Sequence, residues 1–564
     1  MAPSMTREAY HSLPDENGDS TVSFQMQART IEKEADEAAA ETERSVTNKE
    51  EYMTGFKLGL ILVSVTIVCF LMMLDMSILA TAIPYITDDF HSLLDVGWYG
   101  SAYQLACAAL QPLTGKVYTH LSSKWSFLAF FLLFEVGSAI CGAAVSSSML
   151  IIGRAVAGLG GSGLMNGGLT ILSSSVPPHR QPALLGIMMA LGYLGIALGP
   201  LIGGALTQYV SWRWCFYINL PVGGVVAILL LMLNVPDQVV KPGWRKVLGS
   251  SLSHFDLIGF SIFAPAAAMF FLALQYGGNQ YPWKSATVIG LFCGAAVTFV
   301  LFFEWERRQG DDAMIPFSMV RNRIVWSSSL TMFFFSGSVF ITGYYLPIYF
   351  QAVLGATPIM SGVDILPNIL TQMVMTMVAG RLLERFGYYL PFILICGVLN
   401  AVASGLLTLL SPTTSTGRWV GYQIILGVGR GMGLTMPILA IQNILPKPQI
   451  PVAMSVLVFT QNLGGAIFVA FAQAIFTNSL RQTIPKAVPS VSPDAIIAAG
   501  PNNMRNLVPA DRLENLLGAY STSIDHVFFL GLGIAVAALL ISSMMGWKDI
   551  RKKDGMNEST DRQS

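Results

Sequence analysis

The segment Leu71–Pro84 reads LMMLDMSILATAIP and closes an apolar run that begins near residue 57. A helix needs about 20 mainly apolar residues to cross a bilayer core, so this run is long enough. Two of its residues are costly there. Burying the Asp75 carboxylate costs roughly 2.5 to 3.5 kcal/mol even on the lenient insertion scale, which makes an intramembrane acid a candidate functional site. Pro84 removes a backbone donor and is the first landmark of an internal repeat. It recurs as Pro347 in YLPIYF, about 263 residues on. The turn GKVYTHLSSKWSFL from Gly115 matches GRLLERFGYYLPFI from Gly380 at an offset of about 265, and Gly199 in ALGPLIGG falls against Gly464 in NLGGAIF at the same offset. Internal symmetry of this kind marks transport folds, with a substrate cavity where the repeats meet.

Working outward, 53% of the 564 residues are hydrophobic and 12% are charged, and the mean hydropathy is +0.57. These values describe a polytopic membrane protein. Unbroken apolar runs, about fourteen by length, indicate helices, since barrel strands would alternate. The expected architecture is therefore all-α, with six-helix bundles at 57–234 and 325–546 and two inserted helices within 235–324. Residues 1–56 are acid-rich and read as a disordered tail, 477–525 as a long external loop, and 547–564 as a second tail. Lys116, Lys124, Arg180, Lys241, Arg307, Arg308, Arg381 and Arg385 collect in alternate loops. By the positive-inside rule this puts both termini in the cytoplasm.

Several classes are disfavoured. Formal net charge is zero and no exposed basic block occurs, so nucleic acid is not an expected partner. Cys69, Cys107, Cys141, Cys215, Cys293 and Cys396 lie in or beside apolar runs without metal-ligand spacing, and read as packing residues. No GxxxxGK[ST] loop is present to bind ATP. Neither an enzyme nor a resident cofactor is expected.

LDMSILATAIP, RAVAGLGGSG, GYLGIALGPLIGG and WRWCFYINLPVG resemble the signature segments of the fourteen-helix drug:proton antiporters of the major facilitator superfamily. The likeness runs over about residues 57–546 and is strongest to the fungal branch that exports toxins and other secondary metabolites. It implies a proton-driven exporter in the plasma membrane, with a vesicle or vacuole membrane as the alternative address. The expected partners are the bilayer, protons and a small apolar organic substrate, handled by a monomer. An importer or vacuolar carrier of siderophores or amino acids on the same fold is the alternative, because fold does not fix direction. A non-transporting sensor is a third class.

The resemblance gives Asp75 and Arg154 the proton-coupling role. Arginine does not release a proton under ordinary conditions, so Arg154 would act by favouring the ionised form of a neighbouring acid. The competing readings are a structural ion pair for Asp75 and, for Arg154, an arginine reaching to cytoplasmic headgroups. Gly195, Gly199 and Gly203 recur every fourth residue and form one smooth helical face; Gly204 adjoins it and Pro200 should bend it. In the family this antiporter motif packs between the halves and limits leakage, whereas plain helix packing is the alternative. The expected gating turns are Gly115 with Lys116, and Gly380 with Arg381, Glu384 and Arg385. The first departs from the superfamily pattern, since Thr119 and Ser122 stand where an acid and a glycine are usual. Glu135 in the third run is a rival acid, read as structural, for which a partner is expected; Glu304 and Asp364 are weaker candidates.

Seven-residue spacing puts Gln104 and Gln111 on one face of the second helix, and Gln423 and Arg430 on one face of the twelfth. With Trp98, Tyr344, Tyr345, Gln461 and Asn462 they form the expected cavity lining. It suits a mid-sized, largely apolar, oxygenated molecule held by packing and a few hydrogen bonds. Contact with neighbouring helices or headgroups is the competing reading for each.

Overall fold

A computed structural model describes residues 55–91, 95–237, 241, 255–278, 281–489, 491–497 and 504–549. The expected tail before residue 55 and the residues beyond 549 lie outside this set. The apolar runs fold as α1 (Gly55–Phe90), α2 (Val96–His120), α3 (Ser123–Gly142), α4 (Ser147–Ser175), α5 (Gln181–Tyr209) and α6 (Asn219–Met232). A helical hairpin follows, α7 (Leu257–Tyr276) and α8 (Ala286–Gln309). The chain then forms α9 (Arg323–Ile348), α10 (Leu366–Phe386), α11 (Leu390–Leu407), α12 (Thr416–Gly433), α13 (Ile450–Ala487) and α14 (Leu513–Ser542). Among the described residues, 13 helices are long and apolar enough to cross a membrane. The exception is α2, 25 residues long but interrupted by polar side chains such as Gln104 and Gln111.

Packing repeats with the sequence. α1 lies along α5 as α9 lies along α13; α2 packs on α4 as α10 packs on α12; α3 packs on α4 as α11 packs on α12. The two sets meet through α5 against α10 and α2 against α13, while α7 rests on α2 beside its partner α8. The structure corrects the register of one landmark. A methyl on Gly195 would meet the Phe70 carbonyl at 2.7 Å, and one on Gly464 would run into the Phe333 carbonyl. Gly464 therefore corresponds to Gly195, not Gly199, because each glycine admits the backbone of the first helix in its own set. The same comparison carries Phe70 onto Phe333 and, five residues on, Asp75 onto Ser338.

Much of the expected loop 477–525 is helical among the described residues. α13 runs on to Ala487 and α14 already begins at Leu513, because Leu480, Ile484, Leu516 and Ile524 bury an apolar face there. The intervening chain is tied back by Arg505, which donates to the Ala352 and Val353 carbonyls. Apolar burial supplies the remaining cohesion, and one cluster joins Leu185, Leu383, Met436 and Met454 across both sets.

Candidate functional site

Arg154 enters the bundle because α4 starts just before it: the Ser146 side chain caps the helix by accepting from the Met149 N–H. Glycines follow at 158, 160, 161 and 163, so α2 and α3 approach closely and the arginine is sealed from headgroups. Its Nη1 donates to Asp75 Oδ2 at 2.6 Å, and its Nε donates to the Tyr99 carbonyl at 2.9 Å. The Tyr103 and Phe216 rings stand 4.7 and 5.9 Å from the guanidinium carbon. Side-chain exposure is 2% for Arg154 and 0% for Asp75, which rules out the headgroup reading of Arg154 in this conformation. Asp75 Oδ1 is buried and has no hydrogen-bond partner among the described residues. The pair is thus charge-balanced, with one carboxylate oxygen bonded to the arginine and the other not.

The glycine face of α5 packs within its own set. Methyls at Gly199 and Gly203 would collide with Ser77 and Thr81 of α1, two and six residues beyond Asp75, and the Ser77 hydroxyl donates to the Gly195 carbonyl. This corrects the expectation that the face packs between the halves. Pro200 and Gly204 face the other set: a methyl on Gly362 would lie 3.6 Å from Pro200, and one on Gly204 would lie 4.0 Å from Ile359.

Both gating-turn glycines lie where the sets touch. A methyl on Gly115 would meet Ser455 Oγ at 2.5 Å and Val452 Cα at 2.7 Å, and one on Gly380 would meet the Pro182 carbonyl at 2.5 Å. The Thr119 hydroxyl donates to the Pro448 carbonyl and Gln442 to the Leu169 carbonyl, so this end of the bundle is shut. Lys116 reaches the Asp312 carbonyl at 3.1 Å. Just after the first turn, Asp237 Oδ1 accepts from the Ser123 N–H at 3.0 Å and from Lys241 at 2.8 Å. Lys241 also donates to the Tyr118 carbonyl, and burial holds its ammonium below the usual lysine pKa, with Asp237 opposing the shift. In the second turn Gly387 takes the left-handed conformation, φ 81°, that ends α10.

The expected cavity residues separate. Gln104 is exposed, whereas Gln111 is buried with its Nε2 unpartnered. Trp98 packs edge-on to Tyr276 of α7, away from the interface of the sets. Tyr344 is exposed, while Tyr345 is buried in the core, bonded to Gln473 and packed on Phe476; neighbouring residues on a helix point in different directions. Gln423 donates to the Asp364 carbonyl, and Gln461 and Asn462 are half-buried on α13. Arg430, 1% exposed, donates from Nη2 to the Ser338 carbonyl and Thr342 hydroxyl, both at 2.9 Å, and from Nε to Asn400 at 3.4 Å. Ser338, Thr342 and Asn400 were not legible as site residues, although Ser338 stands at the repeat position of Asp75.

Glu135 contradicts the expectation that it finds a partner: both carboxylate oxygens are buried beside Gly223 without a hydrogen bond among the described residues. Glu304 pairs with Arg308 at 2.9 Å.

A buried ion pair in a repeated helical bundle, joined through α2, α5, α10 and α13, defines a multi-pass membrane carrier rather than an enzyme. The chain belongs to the Major Facilitator Superfamily, whose family profile matches residues 65–469. It is 54% identical over 515 residues to the MFS-type transporter pigP of Monascus ruber, covering 91% of this chain and 90% of that one. It is 52% identical to the MFS-type transporter calB of Penicillium decumbens, covering 93% and 94%, and 49% identical to the efflux pump mlcE of Penicillium citrinum, covering 92% and 95%. The fold is shared with the human organic anion transporter MFSD10, at TM-score 0.56 and 13% identity over 86% of this chain and all of that one. The proton:xylose symporter XylE gives TM-score 0.56 and 14% identity over 87% and 97%.

Proposed function

We propose that this chain is a proton-coupled efflux transporter for mid-sized, largely apolar fungal secondary metabolites. The efflux direction is supported by full-length likeness to the efflux pump mlcE, and the metabolite class by the resemblance of the signature segments to the fungal exporters. The observation that carries proton coupling is the Asp75–Arg154 pair, one carboxylate oxygen bonded and the other unpartnered. Protonating Asp75 would release Arg154 from its charge partner, and a buried cation without a counter-ion is costly, so the packing of α1, α2 and α4 is biased by the proton. Substrate enters with the cavity facing the cytoplasm, the sets rock, and a proton from outside resets the carrier. In this reading α2 is the fourteenth span, both termini are cytoplasmic, the protein is a monomer, and it resides in the plasma membrane.

Inside-out vesicles carrying the full chain test this with a panel of apolar fungal metabolites. Wild type should accumulate substrate against its gradient when the lumen is acidified, and Asp75→Asn should insert normally yet lose that accumulation. Undiminished proton-driven uptake by Asp75→Asn would remove the coupling assignment.

A further inference from the structure

The internal repeat places a second arginine in the same socket. Gly153–Arg154 on α4 corresponds to Gly429–Arg430 on α12, and the first-helix position opposite holds Asp75 in one set and Ser338 in the other. Arg154 therefore has a carboxylate, whereas Arg430 is met by a backbone carbonyl, a hydroxyl and an amide oxygen. No ion pair to Arg430 exists among the described residues. Its bonds use Nε and Nη2, and the two N–H groups of Nη1 make none there. Arg430 lies between Gly427 and Gly431, where α12 packs on Asn368 and Gln372 of α10, the helix that meets α5 of the opposite set. A cation this deeply buried costs several kcal/mol unless something neutralises it, and a guanidinium fork fits a carboxylate through two parallel bonds.

We propose that Arg430 is an anion receptor at the interface of the two sets, and that the exported metabolites it selects are organic acids presenting a carboxylate or a comparably acidic group. This rests on the efflux reading and narrows its substrate class. Asp75 and Arg154 keep their own charge balance, so the acidic group of the substrate supplies the counter-ion that Ser338 does not. Gln372 of α10 and the Thr342 hydroxyl offer neighbouring polar contacts, and the apolar remainder packs on the surrounding helices.

The test uses the purified full chain in detergent and in proteoliposomes, with naproxen and its methyl ester as a matched acid and neutral probe. Wild type should bind the acid more tightly than the ester by about tenfold, the worth of one charge-assisted hydrogen bond. Arg430→Gln and Ser338→Asp should each bring that ratio to about one, the second by restoring an internal carboxylate. Ser338→Asp should also unfold no earlier than wild type on heating, because it gives Arg430 an internal partner. Absent acid preference in wild type, an unchanged ratio in either variant, or a clear fall in melting temperature for Ser338→Asp would overturn the proposal. Acid-selective binding without proton-driven uptake would sink the efflux reading and leave this one standing. Proton-driven uptake that treats acid and ester alike would do the reverse.

Discussion

Asp75 and Glu135 are both carboxylates buried in the first set of helices, and their surroundings give them opposite expectations. Asp75 has an arginine at 2.6 Å, whereas Glu135, beside Gly223, has no bonded partner among the described residues. An unpaired buried carboxyl is costly in its charged form. Glu135→Gln should therefore leave proton-driven uptake within about twofold of wild type and should not lower the melting temperature, since an amide carries no charge to bury. Arg154→Ala should abolish uphill uptake and destabilise the fold by about 3 to 5 kcal/mol, measured by thermal unfolding, because it strands Asp75. The sequence reveals Asp75 and Arg154 because an ion inside an apolar run is conspicuous by its cost. It conceals the acceptors of Arg430, since Ser338, Thr342 and Asn400 are unremarkable within helices and are assembled only by packing. Trp98 and Tyr345 were misread for a related reason: residue type suggests a lining, but only the helix rotation decides which neighbour the ring meets.

At the scale of helices, every fourth glycine in α5 was legible as a smooth face, yet not which helix it would receive. The answer is α1, beside Asp75, so this face sets the distance at which the acid is held. Gly199→Leu should push α5 from α1, lowering the yield of monodisperse protein in size-exclusion chromatography, because its side chain would enter Ser77. Pro200→Ala faces the other set and should retain the monodisperse yield. The gating turns make a second expectation. Gly115→Val would place two methyls against Val452 and Ser455, opening the end of the bundle that is shut here. Cysteines introduced at Thr119 and Pro448 should cross-link readily in the parent chain and poorly when Gly115→Val is added; equal cross-linking would show that the contact does not govern closure.

For the whole molecule, the two six-helix sets are joined at one end by the Gly115 and Gly380 contacts, while a strap at Lys116 fastens the first set to the segment after α8. Exchange of an inward proton for an outward monoanion moves two charges in the same electrical sense, each worth about 2.3 kcal/mol per 100 mV. Collapsing the membrane potential with valinomycin and potassium at a fixed pH difference should therefore slow uptake of an acidic substrate more than that of its neutral ester. Repeat architecture was readable from the spacing of Pro84 and Pro347 and of the two basic turns. The extension of α13 and α14 was not, because their outer turns mix polar residues with the buried stripe of Leu480, Ile484 and Leu516.

The difference between Asp75 and Ser338 at one repeat position bears on how such a chain can change as well as on its chemistry. A chain that arose by doubling begins with two equivalent sockets. Once one copy loses its carboxylate, the descendants can specialise, one answering to the energy source and the other to the cargo. New cargo preferences can then be selected in the carboxyl-terminal copy without disturbing the machinery that drives the cycle.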